Sequence, residues 1–319
     1  MSTHSEPVNI AVLDDYQNVA LSMADWTVLD GRARVTVFND HLADPDAVVD
    51  RLRPFDIVCV MRERTPMTRA IVERLPQLRL IASTGARNAS IDAKAAEERG
   101  IQVVHTGYFP APTIEMAWAL ILASARGLVE ENASFRSGGW QRRIGSDLNG
   151  RTLGLLGLGN IGSAVARIGQ AFGMKVIAWS QNLTAERAEA AGATWVSKED
   201  LFRQADIVSI HLILSGRTRG LVGTAELTLM KPTARLVNTS RGPIVIEADL
   251  IEALERKMIA GAAIDVYDQE PLPPNHRFRS LPNLLATPHI GYVSQNLYER
   301  FYRDTVDNIL KWLDERASS

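Results

Sequence analysis

Side chains suited to acid–base chemistry and anion binding follow apolar, strand-like runs late in the chain. Arg241 follows RLVNTS, Asp265 and Glu270 lie in AAIDVYDQEP, and His289 lies in LATPHIG. A histidine changes charge near neutral pH, a neighbouring carboxylate favours its charged form, and an arginine can hold a carboxylate by two hydrogen bonds. If the runs are parallel strands, their carboxyl ends bring these side chains into one crevice. The pattern therefore predicts a site that binds an anion and moves a proton.

A glycine-rich turn, GLGNIG from Gly157 to Gly162, lies between an apolar run and a predicted helix over 160–172. Gly157 permits a tight turn, Gly159 leaves room for a pyrophosphate, and Gly162 lets the helix pack close to the sheet. The free N–H groups at the start of that helix favour phosphate. The motif predicts a dinucleotide site. A nicotinamide held beside the polar side chains would permit hydride transfer with acid–base assistance.

Apolar runs alternate with helical or turn segments twice along the chain, which predicts two parallel α/β sheets. The two series are separated by YFPAPT (108–113), which we interpret as a hinge. A helix is predicted from about 114 to 130 with Thr113 as its N-cap, and another from about 294 to 317. The predicted strands are 9–13, 35–38, 57–60, 78–83 and 102–105, then 153–156, 176–179, 207–211, 235–238, 262–266 and 284–286.

The composition is that of an ordinary globular protein. The chain has 319 residues, 46% of them hydrophobic and 23% charged, which suits two domains of about 150 residues. A net charge of −2 favours neither nucleic acid nor an anionic membrane as a partner. We expect no signal peptide in Met1–Pro7, and the apolar run 116–125 is too short to cross a bilayer. The single cysteine, Cys59, favours a cytoplasmic location, and metal-ligand spacings are lacking, so no metal is predicted.

Taken together, the motifs resemble those of the NAD(P)-dependent D-2-hydroxyacid dehydrogenase family. The similarity rests on GLGNIG, NTSRG, the Asp-Val of AIDVY, the Glu-Pro of DQEPLP and TPHIG, which occur in the family's order. It implies two Rossmann-like or flavodoxin-like parallel-sheet domains, with a cofactor domain (110–293) inserted into a discontinuous substrate domain (1–109 plus 294–319). It also implies hydride transfer between NAD(P)H and the C2 carbonyl of a 2-oxo acid, giving a D-2-hydroxy acid, and a homodimer to which the helix near 114–130 contributes.

The resemblance also implies roles for individual residues. His289 would exchange a proton with the C2 oxygen, Glu270 would pair with His289, and Arg241 would bind and polarise the substrate. Asp265 would hydrogen-bond the nicotinamide carboxamide. The residues expected to contact the cofactor are Gly157, Gly159, Asn160, Ile161, Gly162, Ser180, Gln181, His211, Thr239 and Asp265.

Substrate binding is assigned by the same resemblance to the stretch STGARNASID. Backbone amides at Gly85 and Ala86 would receive the substrate carboxylate. Relatives commonly have a glycine where Arg87 stands, so an extra cation is expected beside the substrate. Such a cation favours a substrate with a second anionic or strongly polar group.

The end of the second strand in the later series departs from the family pattern. Ser180, followed by Gln181 and Asn182, stands where relatives carry the aspartate that holds the adenosine ribose of NAD. An aspartate would repel the 2′-phosphate of NADP, whereas serine repels nothing. We therefore expect either NAD or NADP to serve, with a slight preference for NAD.

Two other functions fit the same motifs. One is the oxidation of formate or phosphite on this fold. The other is a nucleotide-sensing binding protein, as in the C-terminal-binding corepressors, which keep the arginine, glutamate and histidine. The identity of the 2-hydroxy acid depends on loops whose approach the sequence does not specify.

Overall fold

The computed structural model describes residues 6–317, and within them the chain divides into two compact units. Unit 1 consists of the residues up to Phe109 together with those from Ser294, and unit 2 is Pro110–Val293. Each unit has its own parallel sheet and its own hydrophobic core. Within the described residues no helix has the length and apolar character needed to cross a membrane. Most of the segment Met1–Pro7 lies outside the described residues.

Unit 1 begins with alternating strands and helices. They are β1 (Val8–Val12), β2 (Ala33–Val37), α1 (Pro45–Leu52), β3 (Ile57–Val60), α2 (Arg69–Val72), β4 (Leu80–Ser83), α3 (Ala93–Glu98) and β5 (Gln102–His105). The described strands form one parallel sheet in the order β2-β1-β3-β4-β5. The central strands β3 and β4 are buried along their whole length, because helices cover both faces of such a sheet, so they are continuous apolar runs.

Within the described residues, unit 2 also alternates strands and helices, and its sheet has seven strands where that of unit 1 has five. Its elements are α4 (Ala111–Arg126), α5 (Leu128–Arg136), β6 (Thr152–Leu156), α6 (Asn160–Ala171), β7 (Lys175–Trp179), α7 (Ala185–Ala190), β8 (Thr194–Trp195), α8 (Lys198–Gln204), β9 (Ile207–Ile210), α9 (Thr224–Leu229), β10 (Arg235–Asn238), α10 (Glu247–Glu255), β11 (Gly261–Ile264) and β12 (Leu284–Ala286). The described strands form one parallel sheet in the order β12-β11-β10-β9-β6-β7-β8. The prediction omitted β8, an exposed two-residue edge strand without an apolar run.

The helix predicted from 114 to 130 is two helices. Gly127 has φ +60°, a left-handed conformation that ends α4 at Arg126, and α5 starts at the next residue. The prediction of Thr113 as N-cap is wrong. The cap is Pro110, and Pro112 lies in the first turn, where a missing N–H costs nothing.

The last helix, α11 (Gln295–Ala317), packs in unit 1. Its apolar stripe is buried, as the helical spacing predicts, and includes Leu297, Phe301 and Ile309. Asn308 donates from Nδ2 to the His105 carbonyl at 3.1 Å, which ties the helix to the end of β5. The chain therefore returns to its first sheet after completing the second.

The contact between β6 and α8 gives a test of packing in unit 2. A Cβ on Gly154 would lie 2.8 Å from the Ala205 Cβ and 3.0 Å from the Leu201 Cδ2. Gly154→Ala is therefore expected to lower the free energy of unfolding by about 1–3 kcal/mol, measured by urea denaturation. The control is Gly216→Ala, since no described atom lies within 4 Å of its Cβ position. Equal stability of the two variants would contradict this packing.

Candidate active site

The sheet of unit 2 orders the predicted site residues along one edge. Its strand order is that of a dinucleotide-binding fold with an added edge strand, and ligands bind such sheets beyond the carboxyl ends of the strands. Residues distant in sequence thus follow neighbouring strands. His289 follows β12, Asp265 and Glu270 follow β11, Thr239 and Arg241 follow β10, His211 follows β9, Gly157 follows β6, and Ser180 follows β7.

His289 and Glu270 form a direct pair. The His289 Nδ1 lies 2.5 Å from one Glu270 carboxylate oxygen, and the Tyr267 amide donates to the other at 2.9 Å. Both side chains are partly exposed. Among residues 6–317, the His289 Nε2 has no hydrogen-bond partner. The arrangement fixes one ring nitrogen and leaves the other available for a proton transfer.

The backbone of His289 is strained, with φ +52°, and a buried carboxylate holds it in place. Asp265 is 1% exposed. Its Oδ1 accepts from Thr287 Oγ1 at 2.6 Å and from the Ile290 amide at 2.9 Å, and its Oδ2 accepts from the Gly291 amide at 2.7 Å. Burial raises the pKa of this carboxyl above its ordinary value. In this structure Asp265 fixes the loop that carries His289, and its contact with a nicotinamide stays a prediction.

Arg241 lies on a turn that Asn238 braces. The buried Asn238 donates from Nδ2 to the Arg241 carbonyl and accepts at Oδ1 from the Ser240 amide, both at 3.0 Å. A Cβ on Gly242 would collide with the backbone of Tyr267, so this glycine lets the turns after β10 and β11 touch. Sequence reasoning missed both Asn238 and Gly242. The sequence feature that could have identified both residues is their position in NTSRG, at the end of a predicted strand.

The turn after β6 fits a dinucleotide. Gly157 has φ +99°, and a Cβ there would lie 2.6 Å from the His211 carbonyl oxygen. A Cβ on Gly162 would collide with the Gly157 carbonyl, whereas one on Gly159 would meet no described atom within 4 Å, so that side of the turn is open. The buried Thr239 Oγ1 has no hydrogen-bond partner among the described residues. An open glycine face at the start of α6, where Asn160 and Ile161 lie, and an unsatisfied hydroxyl suit a bound cofactor.

The end of β7 carries no acidic group to hold a ribose. The Ser180 carbonyl accepts from the Leu183 amide at 3.0 Å, which makes a turn, and Gln181 is exposed. Arg187, exposed in the first turn of α7, places its Nη1 3.5 Å from the Asn182 carbonyl. A cation from the following helix therefore reaches the loop in which the predicted ribose contacts lie.

His211 is a neutral residue rather than a second acid. Burial lowers its pKa to about 4, and its Nε2 lies 2.9 Å from the Ser209 hydroxyl. A ring that stays uncharged at neutral pH can accept or donate a hydrogen bond but supplies no charge.

The substrate loop predicted in unit 1 follows β4. In this structure the Gly85 amide donates to Thr106 Oγ1 at 2.8 Å, and its contact with a substrate carboxylate stays a prediction. The amides of Ala86 and Arg87 have no partner within residues 6–317, and both residues are exposed. Gly85 has φ +86°, and a Cβ there would collide with the Arg62 guanidinium.

Within residues 6–317, neither Cys59 nor a cluster of metal-ligating side chains forms a second reactive site. Burial raises the pKa of the Cys59 thiol to about 12, which keeps it protonated and unreactive. Within the described part of the chain, no group of three or more His, Cys, Asp or Glu is arranged to hold a metal ion.

Comparison with known proteins identifies the family. Residues 118–291 match the model described as D-isomer specific 2-hydroxyacid dehydrogenase, NAD binding domain. The chain is 42% identical over 250 residues to a glyoxylate reductase of Aeropyrum pernix, covering 75% of each chain. It is 36% identical over 266 residues to a D-3-phosphoglycerate dehydrogenase of Synechocystis, covering 82% of this chain and 48% of that protein. A phosphoglycerate oxidoreductase structure from Vibrio cholerae superposes with a TM-score of 0.91 at 38% identity, covering 97% of this chain and 99% of that one.

The matches agree with the two parallel sheets described above and confirm the resemblance seen in the sequence motifs. This chain belongs to the D-isomer specific 2-hydroxyacid dehydrogenase family and is an NAD(P)-dependent oxidoreductase.

Proposed function

We propose that the protein reduces 2-oxo acids to D-2-hydroxy acids with NAD(P)H and that His289 is the acid and base. The observation that carries this proposal is the His289–Glu270 pair, whose Nε2 has no hydrogen-bond partner among residues 6–317. Relatives named glyoxylate reductase and D-3-phosphoglycerate dehydrogenase support small 2-oxo and 2-hydroxy acids as the substrate class. In this proposal unit 2 (110–293) is the cofactor domain, and unit 1 (1–109 with 294–319) is the substrate domain.

The pair determines which ring nitrogen exchanges the proton. Glu270 accepts from Nδ1 and stabilises the charged imidazolium, so Nε2 carries the proton that passes to the C2 oxygen during reduction. The Arg241 guanidinium stabilises the negative charge that develops on that oxygen. When bound, the nicotinamide supplies the hydride at its C4 atom. In the oxidative direction His289 takes the hydroxyl proton back.

The proposed cofactor contacts follow the same edge of the sheet. The open face at Gly159 and the first amides of α6, at Asn160 and Ile161, would receive the pyrophosphate. The Thr239 hydroxyl would gain the hydrogen bond it lacks. The Ser180 hydroxyl and the Gln181 amide would contact the adenosine ribose.

Substrate binding in unit 1 is assigned to the loop after β4. The amides of Ala86 and Arg87 would receive the substrate carboxylate, and the Gly85 amide would join them on leaving Thr106 Oγ1. The exposed Arg87 side chain would favour substrates with a second anionic group.

Removal of the charge at position 270 tests the acid–base assignment. Glu270→Gln keeps a hydrogen-bonding group beside His289 but no longer stabilises the imidazolium. We expect kcat for glyoxylate reduction to fall by about 10²-fold, and His289→Ala to lower it by about 10²–10⁴-fold, with NADH affinity retained in both. The measurements are NADH absorbance for turnover and NADH fluorescence titration for binding.

A second histidine–carboxylate pair serves as the control for this test. His276 lies 2.9 Å from Glu247 at the start of α10, so Glu247→Gln removes the same kind of charge. It should leave kcat unchanged. Wild-type turnover in Glu270→Gln would refute the catalytic role of the pair.

Cofactor choice depends on Ser180. We propose an enzyme that uses both cofactors, with NAD slightly preferred, since no described carboxylate at the end of β7 repels a 2′-phosphate. Ser180→Asp should suppress NADPH use through that repulsion and preserve NADH use, whereas the neutral Ser180→Asn should change the ratio little. The measurement is kcat/KM for each cofactor. Wild-type selectivity beyond about a hundredfold, roughly 2.7 kcal/mol, would refute dual use.

Assembly as a homodimer is the proposed oligomeric state. The segment around α5 exposes large apolar side chains, which costs free energy in water unless a partner covers them. They are Leu128 (54% exposed), Val129 (52%), Phe135 (64%), Trp140 (73%) and Ile144 (101%). This segment continues from α4, the helix to which the family resemblance assigns the interface.

The mass in solution tests this assembly. Sedimentation velocity should give twice the chain mass for the wild type and a monomer for the double variant Phe135→Glu, Trp140→Glu, because buried carboxylates are costly. Ile213→Glu is the control, since Ile213 is 86% exposed outside this segment. A monomeric wild type would contradict the proposal.

A cytoplasmic location completes the proposal. The supporting observation is the single cysteine, which has no partner for a disulfide within the chain.

A further inference from the structure

We propose that the loop 14–18 of unit 1 is a specificity site, in which Tyr16 contacts the substituent that the substrate carries on C2 opposite the carboxylate. The inference rests on the proposed function, because it concerns the 2-oxo acids assigned above. It adds the class of substituent that the site accepts, which is planar and aromatic.

The topology of the unit 1 sheet places this loop where ligands bind. The order β2-β1-β3-β4-β5 reverses direction between β1 and β3, and parallel sheets bind ligands in the crevice beyond the carboxyl ends at such a reversal. The residues that follow β1 are Leu13 to Asn18, and those that follow β3 are Met61 to Thr65. Both loops therefore lie at the reversal.

Buried carboxylates hold the loop in a fixed conformation. Asp14 and Asp15 are each 1% exposed. Asp14 places Oδ1 2.9 Å from His41 Nδ1 and accepts at Oδ2 from Thr65 Oγ1 at 2.7 Å. Asp15 accepts from two backbone amides of the following turn, including that of Ala20 at 2.8 Å. A loop held at both acidic residues presents its next side chain in a defined position.

Strained backbone is concentrated at the same two loops. Among the described residues, five other than glycine have a left-handed φ, and three of them are Asp14 (58°), Asn18 (54°) and Arg62 (52°). Another is His289, in the proposed catalytic pair. Strain of this kind persists where the surrounding contacts fix a functional geometry.

Arg64 supports Tyr16 from the neighbouring loop. Its guanidinium carbon lies 4.4 Å from the centre of the Tyr16 ring, and its Nη1 donates to the Asp14 carbonyl at 2.7 Å. Its Nη2 lies 3.5 Å from the Tyr298 hydroxyl, which in turn lies 3.4 Å from Gln17 Oε1. The Tyr16 residue is nevertheless 42% exposed. A rigidly supported, half-exposed ring offers a surface for a planar, apolar group.

The spacing of the strands decides which substituents reach this ring. Adjacent strands lie about 4.8 Å apart, so the ends of β1 and β4, which flank β3, are separated by roughly 10 Å. A carboxylate held at Ala86, after β4, leaves the hydrogen of glyoxylate or the methyl of pyruvate too short to reach the loop after β1. A benzyl substituent, as in phenylpyruvate, spans most of that distance.

Paired substrates test the assignment. Tyr16→Ala should lower kcat/KM for phenylpyruvate roughly three- to tenfold, mainly through KM, and leave glyoxylate unchanged. Tyr16→Phe keeps the ring and should behave as wild type with both. Arg64→Lys keeps the charge but loses the planar support, and should give a smaller loss with phenylpyruvate alone. Leu21→Ala, at an exposed residue of the following turn, is the matched control and should change neither substrate.

Three results would overturn the inference. They are equal losses with both substrates in Tyr16→Ala, wild-type kinetics with phenylpyruvate in that variant, and a wild-type enzyme that reduces glyoxylate but not phenylpyruvate. A urea unfolding midpoint equal to that of the wild type shows that a loss arises at the ring and not from unfolding. Failure of the wild-type enzyme to reduce any 2-oxo acid would instead overturn the proposed function, and this inference with it.

Discussion

The buried carboxylate of Asp265 is the interaction on which the proposed site depends. It accepts from the Thr287 hydroxyl and from the amides of Ile290 and Gly291, so it fixes both sides of His289. His289 has a left-handed backbone, which a free loop would relax. Because the loop is held, the imidazole keeps its Nδ1 on Glu270 and its Nε2 unbonded within the described residues. The Asp265 carboxylate thereby sets the geometry of His289, the residue proposed to move the proton.

Small residues let the other turns approach one another. Gly157 packs against the carbonyl of His211, and Gly242 packs against the backbone of Tyr267. A side chain at either position would separate neighbouring strand ends and so widen the edge at which the site lies. Polar side chains then lock these close contacts, as Asn238 does for the turn that carries Arg241. The geometry of the site therefore depends on the close approach of the backbone turns, and the polar side chains hold those turns in place.

In both units the loops proposed to bind ligands lie where the strand order of the sheet reverses. In each, the strand order reverses once near the middle of the sheet, and strained or tightly braced loops follow the strands beside the reversal. In unit 2 the reversal lies between β6 and β9, with the open glycine turn on one side. In unit 1 it lies between β1 and β3, with Tyr16 supported by Arg64. The glycine turn of unit 2 suits a phosphate, because it offers backbone amides. The loop of unit 1 suits an apolar group, because it exposes the ring of Tyr16.

The sequence by itself determined the two alternating series, the glycine turn and the identity of the polar residues at strand ends. These are local properties, since hydrophobic periodicity and turn chemistry act over a few residues. Tertiary structure decided what depends on distant atoms. It added the edge strand β8, gave the Gly85 amide to Thr106, and turned Asp265 towards the His289 loop. Each of these partners lies on another element, and therefore no run of letters specifies it.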